Sequence, residues 1–336
     1  MNVRPSLARP ISSLDVDKLE DVSRHSFDLE VASLADGSML RIPVDVIAGR
    51  GLRPRVVLVA GIHGDESEGM LALMELSERI EPHEITGRLI IVPVANPLAF
   101  AAGVRRTPLD GLDLNRVFPG SSTGSITERI AHVLFTNTTV GADLLFSLHS
   151  WYAAGIVVPY IEVFETPSPV VAASFRAAVA SGFDTIRISD WPPGLLTRCA
   201  NDVGVLGIES EVGGMGTSSP EGQRIYRSSI DAVLRHVGML SGGRDAEARS
   251  VMTVKRIPVS SPVGGLLRCN VKLGDVVAKG DTLGTIHDLH GNTLATIVTP
   301  RAGTIAAHRT LASVAPGDHA FWLFEAVAFP NLEAAV

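Results

Sequence analysis

Two hydrophobic signatures take turns along the chain. Nearly continuous apolar runs of strand length recur at residues 55–60, 89–95, 143–148, 156–160 and 205–209. A strand that is apolar at successive positions is buried on both faces, as happens in a parallel sheet covered by helices. Between these runs the spacing lengthens to a helical period. Met70, Leu73, Met74 and Leu76 mark residues 66–80, and residues 126–137, 169–181, 195–202 and 219–240 follow the same rule. Residues 27–32 and 40–47 are β-rich and flank Asp36-Gly37, a hairpin turn signal, so a hairpin is expected over about 27–48. Strands alternating with helices predict an α/β fold, a mostly parallel sheet with helices on both faces.

The pattern changes at Ser241-Gly242-Gly243-Arg244, a polar, glycine-rich stretch suited to a linker. Beyond it come short strands and turns such as Lys272-Leu273-Gly274-Asp275 and Pro300-Arg301-Ala302-Gly303. Two domains are therefore expected, 1–243 and a small all-β module over 244–336. The 336 residues are enough for one large domain and one small one.

Composition narrows the function. Hydrophobic residues make up 46% and charged residues 19%, the balance of a chain with a core rather than a disordered one. A net charge of -7 argues against a nucleic-acid surface. Residues 1–28 contain arginines but no apolar signal-peptide core. The most apolar stretch, 89–104, is broken by Pro93, Asn96 and Pro97 and is too short to span a bilayer. A cytoplasmic chain with no membrane partner is expected. Cys199 and Cys269 cannot build a disulfide framework and read as ordinary buried thiols.

Candidate chemistry gathers at strand ends, where open α/β sheets bind ligands. Gly61-Ile62-His63-Gly64-Asp65-Glu66 follows one buried strand and opens a helix, and His149 follows another. Two imidazoles and a carboxylate are standard donors for a catalytic zinc, which keeps one position open for water. His63, Glu66 and His149 are the predicted ligands, with Asp65 capping the helix or supporting the site. Asp113-Leu114-Asn115-Arg116 lies downstream of Arg105-Arg106. Asn115 and Arg116 can clamp a substrate carboxylate, since arginine presents a fork of donors. Arg106 can stabilise a developing oxyanion. Glu209 and Glu211 compete for the role of general base. Glu211 lies nearer the strand's exit and is preferred. His287 and His290 read as surface histidines of a hairpin tip. No P-loop and no Gly-x-Ser-x-Gly elbow is present.

Together, Gly-Ile-His-Gly-Asp-Glu, Asp-Leu-Asn-Arg, His149 and Glu211-Val212-Gly213 resemble the succinylglutamate desuccinylase/aspartoacylase family, a branch of the zinc carboxypeptidase fold. The resemblance implies one zinc ion per chain on His63, Glu66 and His149. It implies Asn115 and Arg116 on the substrate carboxylate, Arg106 on the scissile carbonyl and Glu211 as base. The stretch from Arg106 to Asp113 is longer than in aspartoacylases proper, so Arg105 is an alternative to Arg106. This loop and the Arg116-Val117-Phe118-Pro119-Gly120 ending are similar to bacterial members related to N-acetyl-diaminobutyrate deacetylases. The C-terminal module resembles a lipoyl-like barrel without the carrier lysine. It is expected to roof the active-site mouth or to join subunits of a homo-oligomer. The expected activity is hydrolysis of the amide bond in a small N-acyl amino acid. The rivals are a zinc carboxypeptidase acting on short peptides and a non-catalytic binding protein on the same fold.

Overall fold

A computed structural model describes residues 8–166, 168–242 and 251–328. The chain opens with β1 (Arg9–Ile11), β2 (Ser23–Ser33) and β3 (Met39–Ala48). β2 and β3 are the expected hairpin, with Phe27 opposite Val44. Its turn uses Gly37 at φ 82°, a left-handed conformation that glycine adopts without strain. Then follow β4 (Arg50–Val59), α1 (Ser67–Arg79), β5 (Thr86–Val92), α2 (Pro97–Ala102), α3 (Ile126–Leu134) and β6 (Leu144–His149). The next elements are β7 (Gly155–Phe164), α4 (Pro169–Ala180), β8 (Thr185–Ser189), α5 (Leu196–Asp202), β9 (Leu206–Gly214) and α6 (Pro220–His236). Ser125, Ser168 and Ser219 each accept a backbone N–H at a helix start, and Pro169 and Pro220 follow two of these caps. Such caps explain why the helices begin where the periodic pattern does.

The C-terminal elements are β10 (Met252–Ser260), β11 (Gly265–Cys269), β12 (Val276–Val277), β13 (Thr282–His287) and β14 (Thr293–Val298), then β15 (Gly303–Arg309), β16 (Ser313–Val314) and β17 (His319–Ala326). A 13-stranded sheet runs in the order β1-β2-β3-β5-β4-β6-β9-β7-β8-β10-β17-β15-β12, and β15 also pairs with β7. Its centre, β5-β4-β6-β9, is parallel as expected. The whole is mixed rather than mostly parallel: β3 opposes β5, β7 opposes β9 and the C-terminal strands oppose one another. Residues 150–154 are too few for a crossover helix, so β7 returns antiparallel.

Helices do cover both faces. α1, α4 and α6 bury one side of the sheet through Leu73, Leu76, Ala177, Tyr226 and Val233. α3 and α5 bury the other, with Ile130, Leu134, Leu196 and Ala200 packed on Val57, Val59 and Leu145. Removing one fully buried leucine from such a layer costs about 2–5 kcal/mol.

The C-terminal region is all-β, and part of it joins the large sheet. β10 extends the large sheet beside β8, with Val254 opposite Arg187, and β15 joins β7, with His308 opposite Ile156. A second sheet, β14-β13-β11-β16, encloses a separate core around Leu283, Ile286, Phe321 and Leu323. The expected junction at 243/244 lies outside the described residues. Cys199 is buried, but Cys269 is exposed because it ends β11 on the outward face. His287 and His290 sit at the β13–β14 turn, as expected.

Candidate metal centre and active-site cleft

The site begins where β4 ends. The turn 61–66 packs so closely on its surroundings that only glycine fits at two positions. A Cβ on Gly61, at φ 64°, would stand 2.8 Å from the Val94 Cα, and one on Gly64 would stand 2.0 Å from the Ala99 carbonyl. This tight path holds His63 inward. Glu66 occupies the position just before α1, yet its side chain makes no helix cap. It turns instead to two imidazoles: His63 Nδ1 lies 2.8 Å from Oε1, and His149 Nδ1 lies 2.8 Å from Oε2. All three side chains are buried.

The far side of each ring is anchored. His63 Nε2 faces Asp113 Oδ1 at 2.9 Å, and His149 Nε2 faces the Ser147 hydroxyl at 2.9 Å. With the His63 proton given to Asp113, its Nδ1 is a buried lone pair with no hydrogen-bond partner, aimed at a carboxylate. In that tautomer two acceptors face each other at 2.8 Å, a pair that a proton or a bound cation satisfies. Burial works against charge on His149, but Glu209 and Glu66 raise its pKa to about 10. Burial also favours the neutral form of Glu66, yet His63 and His149 hold its carboxyl far below the usual range. One donor atom from each of His63, Glu66 and His149 lies within 4.8 Å of the others, so the trio can hold a metal ion. Imidazoles anchored through their second nitrogen are the usual arrangement around a bound metal.

Strand register brings the other candidates in. β6 and β9 are parallel neighbours, with Ser147 beside Glu209 and His149 beside Glu211. The Tyr226 hydroxyl donates to the His149 carbonyl and pins the strand end. Glu209 is occupied: it lies 3.4 Å from the Asn115 amide, 3.3 Å from the Thr197 hydroxyl and 3.7 Å from His149 Nε2. Glu211 Oε2 has no partner. Burial pushes the Glu211 carboxyl well above its ordinary value, and the negative charge of Glu66 adds to the shift.

The two adjacent arginines separate. Arg105, half-buried, reaches Glu66 Oε1 at 3.2 Å and Asp113 Oδ2 at 3.0 Å. Arg106 is exposed and only borders the cleft. Asp113 is a hub that the motif did not reveal, binding His63, Arg105 and the Asn115 N–H. Burial alone would raise its pKa, but the hydrogen bond from His63 and the charge of Arg105 hold it far below the ordinary range. The Asn115 side chain is buried, its carbonyl accepting from the Leu196 N–H at 3.0 Å, whereas Arg116 is exposed. Asp65 does not cap α1. Its Oδ2 accepts from the Ala153 N–H and ties down the β6–β7 turn.

His63, His149, Arg105, Asp113, Glu209 and Glu211 line a cleft of about 730 Å³. Its remaining wall comes from side chains that sequence reasoning missed: Glu162 and Arg187, paired with each other, and Arg256, Arg309, His319 and Trp322 of the C-terminal region. No local motif marks them, since they stand on five separate strands that only the sheet order brings together. Among the described residues, no helix is long and apolar enough to cross a membrane.

A mixed α/β sheet carrying a buried His-Glu-His trio at the ends of its parallel strands defines a hydrolase fold with a candidate metal centre. Residues 53–237 match the succinylglutamate desuccinylase/aspartoacylase catalytic domain, and the chain belongs to that family. It is 33% identical over 332 residues to the N-alpha-acetyl-L-2,4-diaminobutyric acid deacetylase of Halomonas elongata, covering 95% of this chain and 96% of that one. The product-bound ectoine utilization protein EutE (DoeB) of Ruegeria pomeroyi is 29% identical. It superposes with a TM-score of 0.83 over 91% of this chain and 96% of that one. A Rhodobacter sphaeroides succinylglutamate desuccinylase/aspartoacylase is 28% identical, with a TM-score of 0.84 over 94% and 99%.

Proposed function

We propose that this chain is a zinc-dependent cytoplasmic hydrolase that cuts the amide bond of a small N-acyl amino acid. The observation that carries the proposal is the Glu66 carboxylate held between two inward-facing imidazoles, with the half-buried Glu211 nearby, whose buried Oε2 has no hydrogen-bond partner among the described residues. His63, Glu66 and His149 are the ligands in this reading. When bound, zinc supplies Lewis acidity, polarising the scissile carbonyl and acidifying the attacking water.

Glu211 takes the proton from that water and returns it to the departing amine, so a free amino acid and a carboxylic acid leave. Arg105 replaces Arg106 as the cation facing the carbonyl oxygen. Its guanidinium is already fixed by Asp113 and Glu66, so it needs no reorganisation during reaction. Arg116 grips the substrate carboxylate, and Asn115, whose carbonyl is held by the Leu196 N–H, sets the position of that arginine. The cleft is walled by Arg309, His319 and Trp322, which favours small substrates over peptides. Similarity to the Halomonas deacetylase makes N-α-acetyl-diaminobutyrate the first substrate to test.

Zinc-loaded protein should hydrolyse at least one member of a panel of N-acetyl, N-succinyl and N-formyl amino acids. A chelator should remove metal and activity together. Stoichiometric metal with no hydrolysis of any compound would overturn the proposal.

A further inference from the structure

We propose that Arg256 is a substrate-binding residue that takes a carboxylate of the acyl amino acid, a role that rests on the hydrolase reading above. Three of the six arginines lining the cleft already have acids: Arg105 has Asp113 and Glu66, Arg187 has Glu162, and Arg309 has Asp318 at 3.6 Å. Arg256 has none. Among the described residues its side chain makes no hydrogen bond and no ion pair, although it lines the cleft and is only partly exposed. Its guanidinium lies 4.3 Å from the centre of the Trp322 ring, which orients the planar fork while leaving its edge donors free.

The placement is rigid. β10 is paired with β8 on one side and with β17 on the other, where Arg256 stands opposite Phe324. Burial disfavours the charge on Arg256, and Arg187 adds repulsion that Glu162 and Asp190 only partly offset. A partly buried, pre-oriented guanidinium without a counter-ion is suited to receive one from a ligand. Among the described residues, Arg106 and Arg116 are the other cleft arginines with no carboxylate in ion-pair range, and both come from the other half of the fold. Arg116 and Arg256 share the α-carboxylate if that is the group recognised, and hold opposite ends of the molecule if Arg256 takes a carboxylate on the acyl group.

The carboxylate has two possible sources, the amino acid's α-carboxylate or a carboxylate on the acyl group. Three compounds separate them: N-α-acetyl-diaminobutyrate, its α-carboxamide, and N-α-succinyl-diaminobutyrate. Arg256→Gln should raise KM about 10- to 100-fold for the compound carrying the recognised carboxylate, because a charged hydrogen bond is lost, with kcat nearly unchanged. Arg256→Lys should recover part of the loss. If the α-carboxylate is bound, the effect vanishes with the carboxamide. If the acyl carboxylate is bound, the effect is confined to the succinyl compound. An unchanged KM for all three compounds, or an equal loss for all three including the carboxamide, would overturn the assignment. Glutarate titrated calorimetrically needs no turnover. It should bind Arg256→Gln about tenfold or more weakly than the parent protein. Equal binding, or none to the parent, overturns the assignment. A parent protein that hydrolyses nothing sinks only the hydrolase reading, and the titration still judges Arg256.

Discussion

Replacing Glu211 by glutamine tests the chemistry with little change of shape. The amide keeps the volume and one oxygen but cannot accept a proton from water. In the folded chain Glu211 stands beside His149 across the β6–β9 ladder, and one of its carboxyl oxygens has no partner. No structural hydrogen bond is therefore lost through that oxygen. The variant should lose the general-base contribution, about 10²–10⁴-fold in kcat. That corresponds to about 3–5 kcal/mol of transition-state stabilisation. Stability should move the other way. Burial and the charges of Glu66, Glu162 and Glu209 disfavour an ionised Glu211, so an amide that never ionises suits the site and Tm should hold or rise. The assay combines colorimetric detection of released amine with elemental analysis for metal and a thermal melt. Glu209→Gln is the contrast, because Glu209 is bonded to Asn115 and Thr197 and its loss should lower Tm as well. A Glu211→Gln protein that binds metal and turns over within about threefold of the parent would refute the base assignment.

Other consequences are equally direct. Arg105→Ala should lower kcat/KM by about 10²–10³-fold while Arg106→Ala changes it little, and the reverse ranking would exclude Arg105 from the reaction. Asp113→Asn should weaken metal binding about 10- to 100-fold in a competition titration with a chromophoric chelator, because Asp113 orients His63; unchanged affinity would deny it that part. Burial, with a smaller contribution from Glu209 against the pull of Arg187, raises the Glu162 pKa from 4.5 to about 7. A group raised in the folded state contributes stability that is complete below its unfolded pKa and is lost as pH climbs through the folded one. Glu162→Gln should therefore narrow the Tm difference between about pH 5 and about pH 8, and an undiminished difference would contradict the assignment. Gly64→Ala should destabilise the fold by about 1–3 kcal/mol or more, read as a fall in Tm, since its Cβ would meet the Ala99 carbonyl at 2.0 Å.

The sequence by itself determined the elements and the ends at which the chemistry sits. Strands buried on both faces must be apolar throughout, so 55–60 and 143–148 declared themselves, and His63, Glu66 and His149 were legible as polar residues interrupting those runs at their exits. The preference for Glu211 over Glu209 followed from the same logic, because depth along a strand is a matter of counting. Tertiary structure decided what counting cannot reach. Arg105 and Arg106 are equivalent as text, and only the path of the 103–112 loop turns Arg105 toward Glu66 and leaves Arg106 outside. The direction of β7, and with it the mixed sheet, depends on a connection too short for a helix. No local pattern told that β10 and β15 hydrogen-bond to β8 and β7, which brings Arg256 of β10 and Trp322 of the neighbouring β17 to the cleft. Periodicity records which face of an element is buried, whereas the pairing of strands distant in the chain is set by long-range hydrogen bonds that leave no local pattern.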